Sequence, residues 1–293
     1  MSERSERAET DRQPSWRTLV AGAVARGVDA TDARRIGEEA SGAEGAAWAL
    51  AVDEPCAPLT RHRFDEMVQR RLSGEPLQYV LGRWGFRELD LLVDQRALIP
   101  RPETEWVVEA ALQLLVVRRD PVPVAIDLGT GSGAIALSVA AARAPRVRVV
   151  GTDVSPEALS LARANLAGLG GRGTVVELYE GDWYGALPGE LRGEVDLVVS
   201  NPPYIAADEV LPGDVADWEP RAALIAGPTG LEAIALVVAG AATWLRPGGA
   251  LVVEIGETQG SAATALASDA GLIAVEVRRD LSGRDRMLVG RSR

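Results

Sequence analysis

A chain of 293 residues, 47% hydrophobic and 25% charged, has room for one large domain or two ordinary ones, and its composition is neither disordered nor fibrous. One cysteine and one histidine exclude an intramolecular disulfide, leave too few soft ligands for a zinc cluster and give little scope for a histidine-based dyad. The net charge is -11, and the 31 basic residues, all arginine, form no dense run, so a phosphate backbone is an unfavourable partner and no direct nucleic-acid binding is expected.

Residues 1–14 are polar and lack the apolar core of a signal peptide, which predicts a disordered cytoplasmic tail. From 15 to 73 only helical spacing occurs. Trp16, Leu19, Val20, Ala23 and Val24 make one apolar stripe, and Phe64, Met67, Val68 and Leu72 make another, as in a small helical domain. Cys56 and His62 fall in or beside this domain and read as core and surface fillers. Gly74, Pro76 and Gly82 break the pattern, and alternation from Arg83 to Val93 predicts a β-hairpin within a linker at 74–100. Beyond Pro100 and Pro102, the segment Glu103 to Val117 has helical spacing, with Glu103 and Glu105 at its positive N-terminal end.

The rest of the chain reads with this helix as one domain, 101–293. Short apolar β-type runs at 124–128, 147–153, 174–179, 195–200 and 250–255 alternate with helices beginning near Ser132, Ser155 and Thr229. That rhythm predicts an α/β fold, a doubly wound sheet of buried parallel strands. The runs 273–277 and 286–290 are separated by a loop alone, so this last pair is expected to be antiparallel. Residues 205–228 lack clear periodicity over an unusual length, as lids and binding segments do, and are expected to border the substrate channel. The longest uncharged apolar stretch, Ala233 to Leu245, is well short of the ~20 residues of a membrane span.

Three strand ends carry chemistry. Asp127-Leu-Gly129-Thr130-Gly131-Ser132-Gly133-Ala134 stands at a strand-to-helix turn, where glycines allow close backbone approach and the helix start offers free N–H groups to a cofactor. Counted with Ala134, it also fits the looser dinucleotide pattern of a nicotinamide-dependent oxidoreductase. Asp153 lies 20 residues beyond Gly133 at the end of the second run, where a carboxylate can accept both ribose hydroxyls; its plainer role is a helix cap. Asp182 and Trp183 follow the third run and can clamp a base by hydrogen bonding and stacking.

The fourth run ends in Asn201-Pro202-Pro203-Tyr204. The proline rings fix the backbone, so that Asn201 Oδ1 and the Pro202 carbonyl can accept both N–H bonds of a planar NH2 group. Orientation and electrostatics then bring its poorly nucleophilic nitrogen in line with an electrophilic methyl, and the Tyr204 ring favours a sulfonium.

Together, DLGTGSGAIAL, GTD, GDW and SNPPYI resemble S-adenosylmethionine-dependent amino-methyltransferases of the Rossmann-like class, with an antiparallel seventh strand. The tetrapeptide alone is shared by enzymes of glutamine amides and of exocyclic adenine nitrogens, which leaves adenine-N6 methylation of DNA or RNA as an alternative. GEPLQYVLG (74–82), LIPRPETE (98–105), DVADWEPRAAL (214–224) and EIGETQG (254–260) resemble the release factor glutamine methyltransferase family more narrowly. The resemblance implies a seven-stranded methyltransferase sheet with a helical substrate-docking domain, S-adenosyl-L-methionine as methyl donor, and class I peptide chain release factors as protein substrate. It implies that Asp127, Gly129 to Gly133, Asp153, Asp182, Trp183 and Asn201 bind the cofactor. Asn201 to Tyr204 would hold the glutamine, with Asn201, Pro202 and Tyr204 catalytic, and Pro100 to Glu105 would cover the methionine end of the cofactor.

Overall fold

The computed structural model describes residues 13–116 and 120–293, apart from the side chain of Asp214. The expected tail at 1–14 lies almost wholly outside the described residues, as does the last residue of the helix expected at 103–117. Contacts divide the chain into two units, one running to Gly82 and including Gly213–Trp218, the other spanning Arg83–Pro212 and Glu219–Arg293.

The first unit contains α1 (Trp16–Ala25), α2 (Ala30–Ser41), α3 (Gly45–Ala51), α4 (Pro58–Leu72) and α5 (Leu77–Leu81). Ser15 and Asp29 cap α1 and α2 through their side-chain oxygens, and Gly42 ends α2 in the left-handed region at φ 71°. Trp16 meets Trp48 and Phe64 with ring centroids 6.1 Å apart in each pair, and Ile36 and Val68 of the same unit are fully buried. Each such side chain contributes ~1.5–3 kcal/mol on burial. Val24 and Leu72, at the ends of the expected stripes, stay exposed. Cys56 is buried, and His62 is on the surface beside Glu66. The turn α5 falls in the expected linker, its five residues too few to show a period.

The second unit opens with a hairpin of β1 (Arg83–Phe86) and β2 (Leu89–Leu92), followed by α6 (Pro102–Leu114). Then come β3 (Val124–Leu128), α7 (Ala134–Arg143), β4 (Arg148–Asp153), α8 (Pro156–Gly168), β5 (Val176–Glu180), β6 (Val195–Ser200), β7 (Ile205–Ala206) and β8 (Ile225–Gly227). The chain closes with α9 (Glu232–Trp244), β9 (Leu245–Glu254), α10 (Gly260–Asp269), β10 (Ile273–Arg279) and β11 (Asp285–Arg291).

Seven strands form one sheet in the order β10-β11-β9-β6-β3-β4-β5. All neighbours are parallel except at β11, which runs antiparallel to both β9 and β10. Every residue of β3 and β6 is buried because helices cover both faces. Ala125, Leu197 and Val252 face a core shared with α6 and α7, while Ile126, Val198 and Leu251 face a second core shared with α9 and α10.

Two segments depart from expectation. β9 begins at Leu245 rather than at Ala250, because its ladder with β6 slips between Val195 and Leu197 and leaves Arg246 to Gly249 as a bulge. Arg246 is anchored there by Asp196, which also accepts the Val124 N–H at 2.9 Å. Residues 205–228 are not irregular throughout: β7 and β8 pair in parallel, with a helical turn, Arg221–Leu224, leading into β8. Among the described residues, no helix is long and apolar enough to cross a membrane.

Candidate active site

The carboxyl ends of β3, β4, β5 and β6 open onto a cleft of about 260 Å3. At the end of β3 the chain turns through Gly129, Gly131 and Gly133, all at positive φ (70°, 57° and 87°). A Cβ on Gly133 would lie 3.1 Å from Leu137 Cδ1, within the first turn of α7. Gly129, Thr130, Gly131 and Ser132 line the cleft, whereas Gly133, outside the lining, is the N-cap of α7.

Asp127 sits beneath this loop. Its Oδ2 accepts from Thr130 Oγ1 at 2.6 Å and from the Ala136 N–H at 3.0 Å, while Oδ1 is buried without a partner. Burial pushes the carboxyl up to about 7 in spite of those two donors. The structure thus puts Asp127 where it braces the loop, away from the cleft lining.

Asp153, at the end of β4, lines the cleft. Its Oδ2 accepts the Gly131 N–H at 2.8 Å and its Oδ1 the Ser155 N–H at 2.9 Å, which leaves acceptor capacity on both oxygens. The helix cap is a different residue, Ser155, whose Oγ accepts the Ala158 N–H at 3.1 Å. Burial raises the Asp153 carboxyl, opposed by backbone N–H donors. Past β5, Asp182 is exposed at the rim, and Trp183 has a left-handed backbone at φ 44°. That conformation costs an aromatic residue ~1–2 kcal/mol and brings the indole over the glycine turn, within 3.5 Å of where a Gly129 Cβ would stand.

Asn201 and Pro203 line the same cleft, while Pro202 is buried. Asn201 Nδ2 donates to Thr104 Oγ1 at 3.2 Å, and Thr104 Oγ1 donates to Glu254 Oε2 at 2.7 Å. Tyr204 is turned from the cleft lining towards the core, with its hydroxyl donating to Glu254 Oε1 at 3.4 Å. Burial raises both groups, Glu254 to about 7, with Thr104, Tyr204 and Arg286 pulling it down and Glu103 pushing it up. The Tyr204 carbonyl accepts from Gln259 Nε2 at 2.9 Å.

The remaining walls come from 96–104 and 220–223. Buried Glu219 ties them together: its Oε2 accepts the Ile99 N–H at 3.1 Å and its Oε1 pairs with Arg101. Asn165 on α8 supports the loop from behind, donating to the Ser132 carbonyl at 2.9 Å while exchanging two hydrogen bonds with the Leu92 backbone. The sequence alone singles out neither Glu219 nor Asn165, nor does it give Thr104 or Glu254 a separate role. Two signals mark Glu254: it is a carboxylate closing the otherwise apolar run ALVVE, and it heads the segment EIGETQG.

A family profile described as "Methyltransferase small domain" matches residues 109–215, and another described as "PrmC N-terminal domain" matches residues 23–82. The release factor glutamine methyltransferase of Xylella fastidiosa strain Temecula1 is 43% identical over 280 residues, covering 95% of this chain and 98% of that protein. The enzyme of the same name from Moorella thermoacetica is 45% identical over 239 residues, 80% of this chain and 81% of that protein. Among solved structures, a methyltransferase from Pyrococcus furiosus superposes with a TM-score of 0.52 at 18% identity, over 78% of this chain and 98% of that one, a likeness of fold alone. With such identity along nearly the whole of both sequences, this chain belongs to the release factor glutamine methyltransferase family.

Proposed function

We infer that the protein transfers a methyl group from S-adenosyl-L-methionine to the side-chain amide nitrogen, N5, of the glutamine in the Gly-Gly-Gln motif of class I peptide chain release factors. The observation that carries this reading is Asn201: it follows β6 and lines the same cleft as the glycine turn and Asp153, with its NH2 group held by Thr104.

The residues present fit the cofactor. Asp153 keeps free lone pairs for a ribose diol, Asp182 and Trp183 suit the base, and the turn Gly129 to Gly133 admits close backbone approach, with Asp127 as its brace. When bound, S-adenosylmethionine supplies an electrophilic sulfonium methyl. Asn201 Oδ1 and the Pro202 carbonyl accept the two N–H bonds of the glutamine amide, and Pro203 and Tyr204 fix this backbone. The two acceptors hold the NH2 group in place, raise the electron density on its nitrogen and align it with the methyl. A carbon–nitrogen bond forms as a carbon–sulfur bond breaks, S-adenosyl-L-homocysteine is left, and the amide cation releases its proton to water. The helical unit serves as the docking module for the protein substrate.

The test is methyl transfer from labelled S-adenosylmethionine to a purified class I release factor, with duplex DNA as competitor and peptide mapping of the product. One methyl on the Gly-Gly-Gln glutamine is expected, and Asn201→Ala should lower kcat ~100-fold. Label on the DNA, or unchanged turnover in that variant, refutes the reading.

A further inference from the structure

Three side chains from three elements stand in one hydrogen-bonded line: Asn201 past β6, Thr104 on α6 and Glu254 at the end of β9. With Glu254 ionised, its direction is forced from the far end. A carboxylate only accepts, so the single hydroxyl proton of Thr104 goes to Glu254, and the Thr104 oxygen has only lone pairs left for Asn201. The Asn201 amide must therefore present its NH2 group to Thr104 and its Oδ1 to the other side. Thr104 and Glu254 are 3% and 1% exposed, so bulk water offers neither a substitute partner.

We propose that Thr104 and Glu254 are positioning residues that set which end of the Asn201 amide faces the cleft, and so make the site selective for a donor NH2 group. This rests on the reading that Asn201 Oδ1 receives the substrate amide. Removing each residue has a different consequence. Without the Thr104 oxygen, the Asn201 NH2 loses its partner and neither orientation is preferred. Without Glu254, the Thr104 hydroxyl has a proton and no acceptor; it donates to Asn201 Oδ1 and turns the amide the wrong way round.

The chain contains two asparagines, Asn165 and Asn201, so 15N-asparagine labelling gives two side-chain amide signals, and Asn201→Ala identifies the second. At pH 8.5, where Glu254 is ionised, Thr104→Val, which keeps the side-chain shape, is expected to speed exchange of the Asn201 amide protons ~10-fold and to lower kcat ~3-fold. Thr104→Ser should restore both. Glu254→Leu should lower kcat ~10-fold or more, and adding Thr104→Val should bring activity back up to the level of Thr104→Val alone, because the misdirecting hydroxyl is gone. A purely structural role makes that double variant the worst of the three, and this order, or unchanged Asn201 exchange in Thr104→Val, would overturn the proposal. Exchange is read without substrate, so failure of release factor methylation in the unaltered protein refutes the functional reading separately.

Discussion

Asn165 is a single amide holding two pieces of the second unit in register. Its Oδ1 accepts the Leu92 N–H at 2.7 Å, and its Nδ2 donates to the Leu92 carbonyl at 3.1 Å and to the Ser132 carbonyl at 2.9 Å. In Asn165→Ala, water can reach Leu92, whose side chain is half exposed, so each of its two bonds is worth ~0.5–1 kcal/mol. Ser132 is buried, and an orphaned carbonyl there costs ~1–3 kcal/mol. The sum is ~3 kcal/mol, or a fall in Tm of ~6–12 °C for a unit of this size. Asn165→Asp should be worse at pH 8, since it keeps the acceptor but sets a carboxylate against two carbonyls, and it should recover as the pH falls and the carboxyl takes up a proton. Calorimetric melting, paired with titration of S-adenosylmethionine, reads both the fold and the loop. An Asn165→Ala protein that melts within ~1 °C of the unaltered one would refute the reasoning.

Gly133→Ala forces an L side chain into φ 87° against Leu137 and should cost ~1–2 kcal/mol by chemical denaturation; a neutral result would mean the turn relaxes freely. Trp183→Ala should weaken S-adenosylmethionine binding ~10-fold by calorimetry with little change in KM for the release factor, and equal loss of both would argue against a base clamp. Asp127 and Glu254 are both raised to about 7, so each keeps its proton in the folded protein over a range where the unfolded chain has lost it. Their contribution is present in full below pH ~4 and is lost as the pH rises to ~7. Asp127→Asn should therefore flatten the decline in stability between those limits, and melts at several pH values that show an unchanged slope would count against it.

How far the sequence is legible depends on the range over which each feature is determined. β3 and β6 can be read because both of their faces are buried, leaving unbroken apolar runs. The glycine turn, Asp153 and Asn201 can be read because a parallel sheet brings its carboxyl ends to one edge. The first half of β9 looks like a turn because Pro247 to Gly249 lie in a bulge, and β7 with β8 is too short to show alternation. The Thr104–Glu254 pair joins positions 150 residues apart in the chain, and Glu219 reaches Ile99 across 120. Side-chain pairs of that separation leave no periodicity in a single sequence.

Pro202 and Pro203 have no backbone N–H, and the Asn201 NH2 is committed to Thr104. The lip of the site at the end of β6 is therefore rich in acceptors and poor in donors. A glutamate side chain, or a glutamine that has lost its amide by hydrolysis, would bring a negative charge and no N–H to a segment that offers it few donors. On the proposed function, these three residues are expected to disfavour a deamidated substrate by electrostatic mismatch, although its shape is nearly the same.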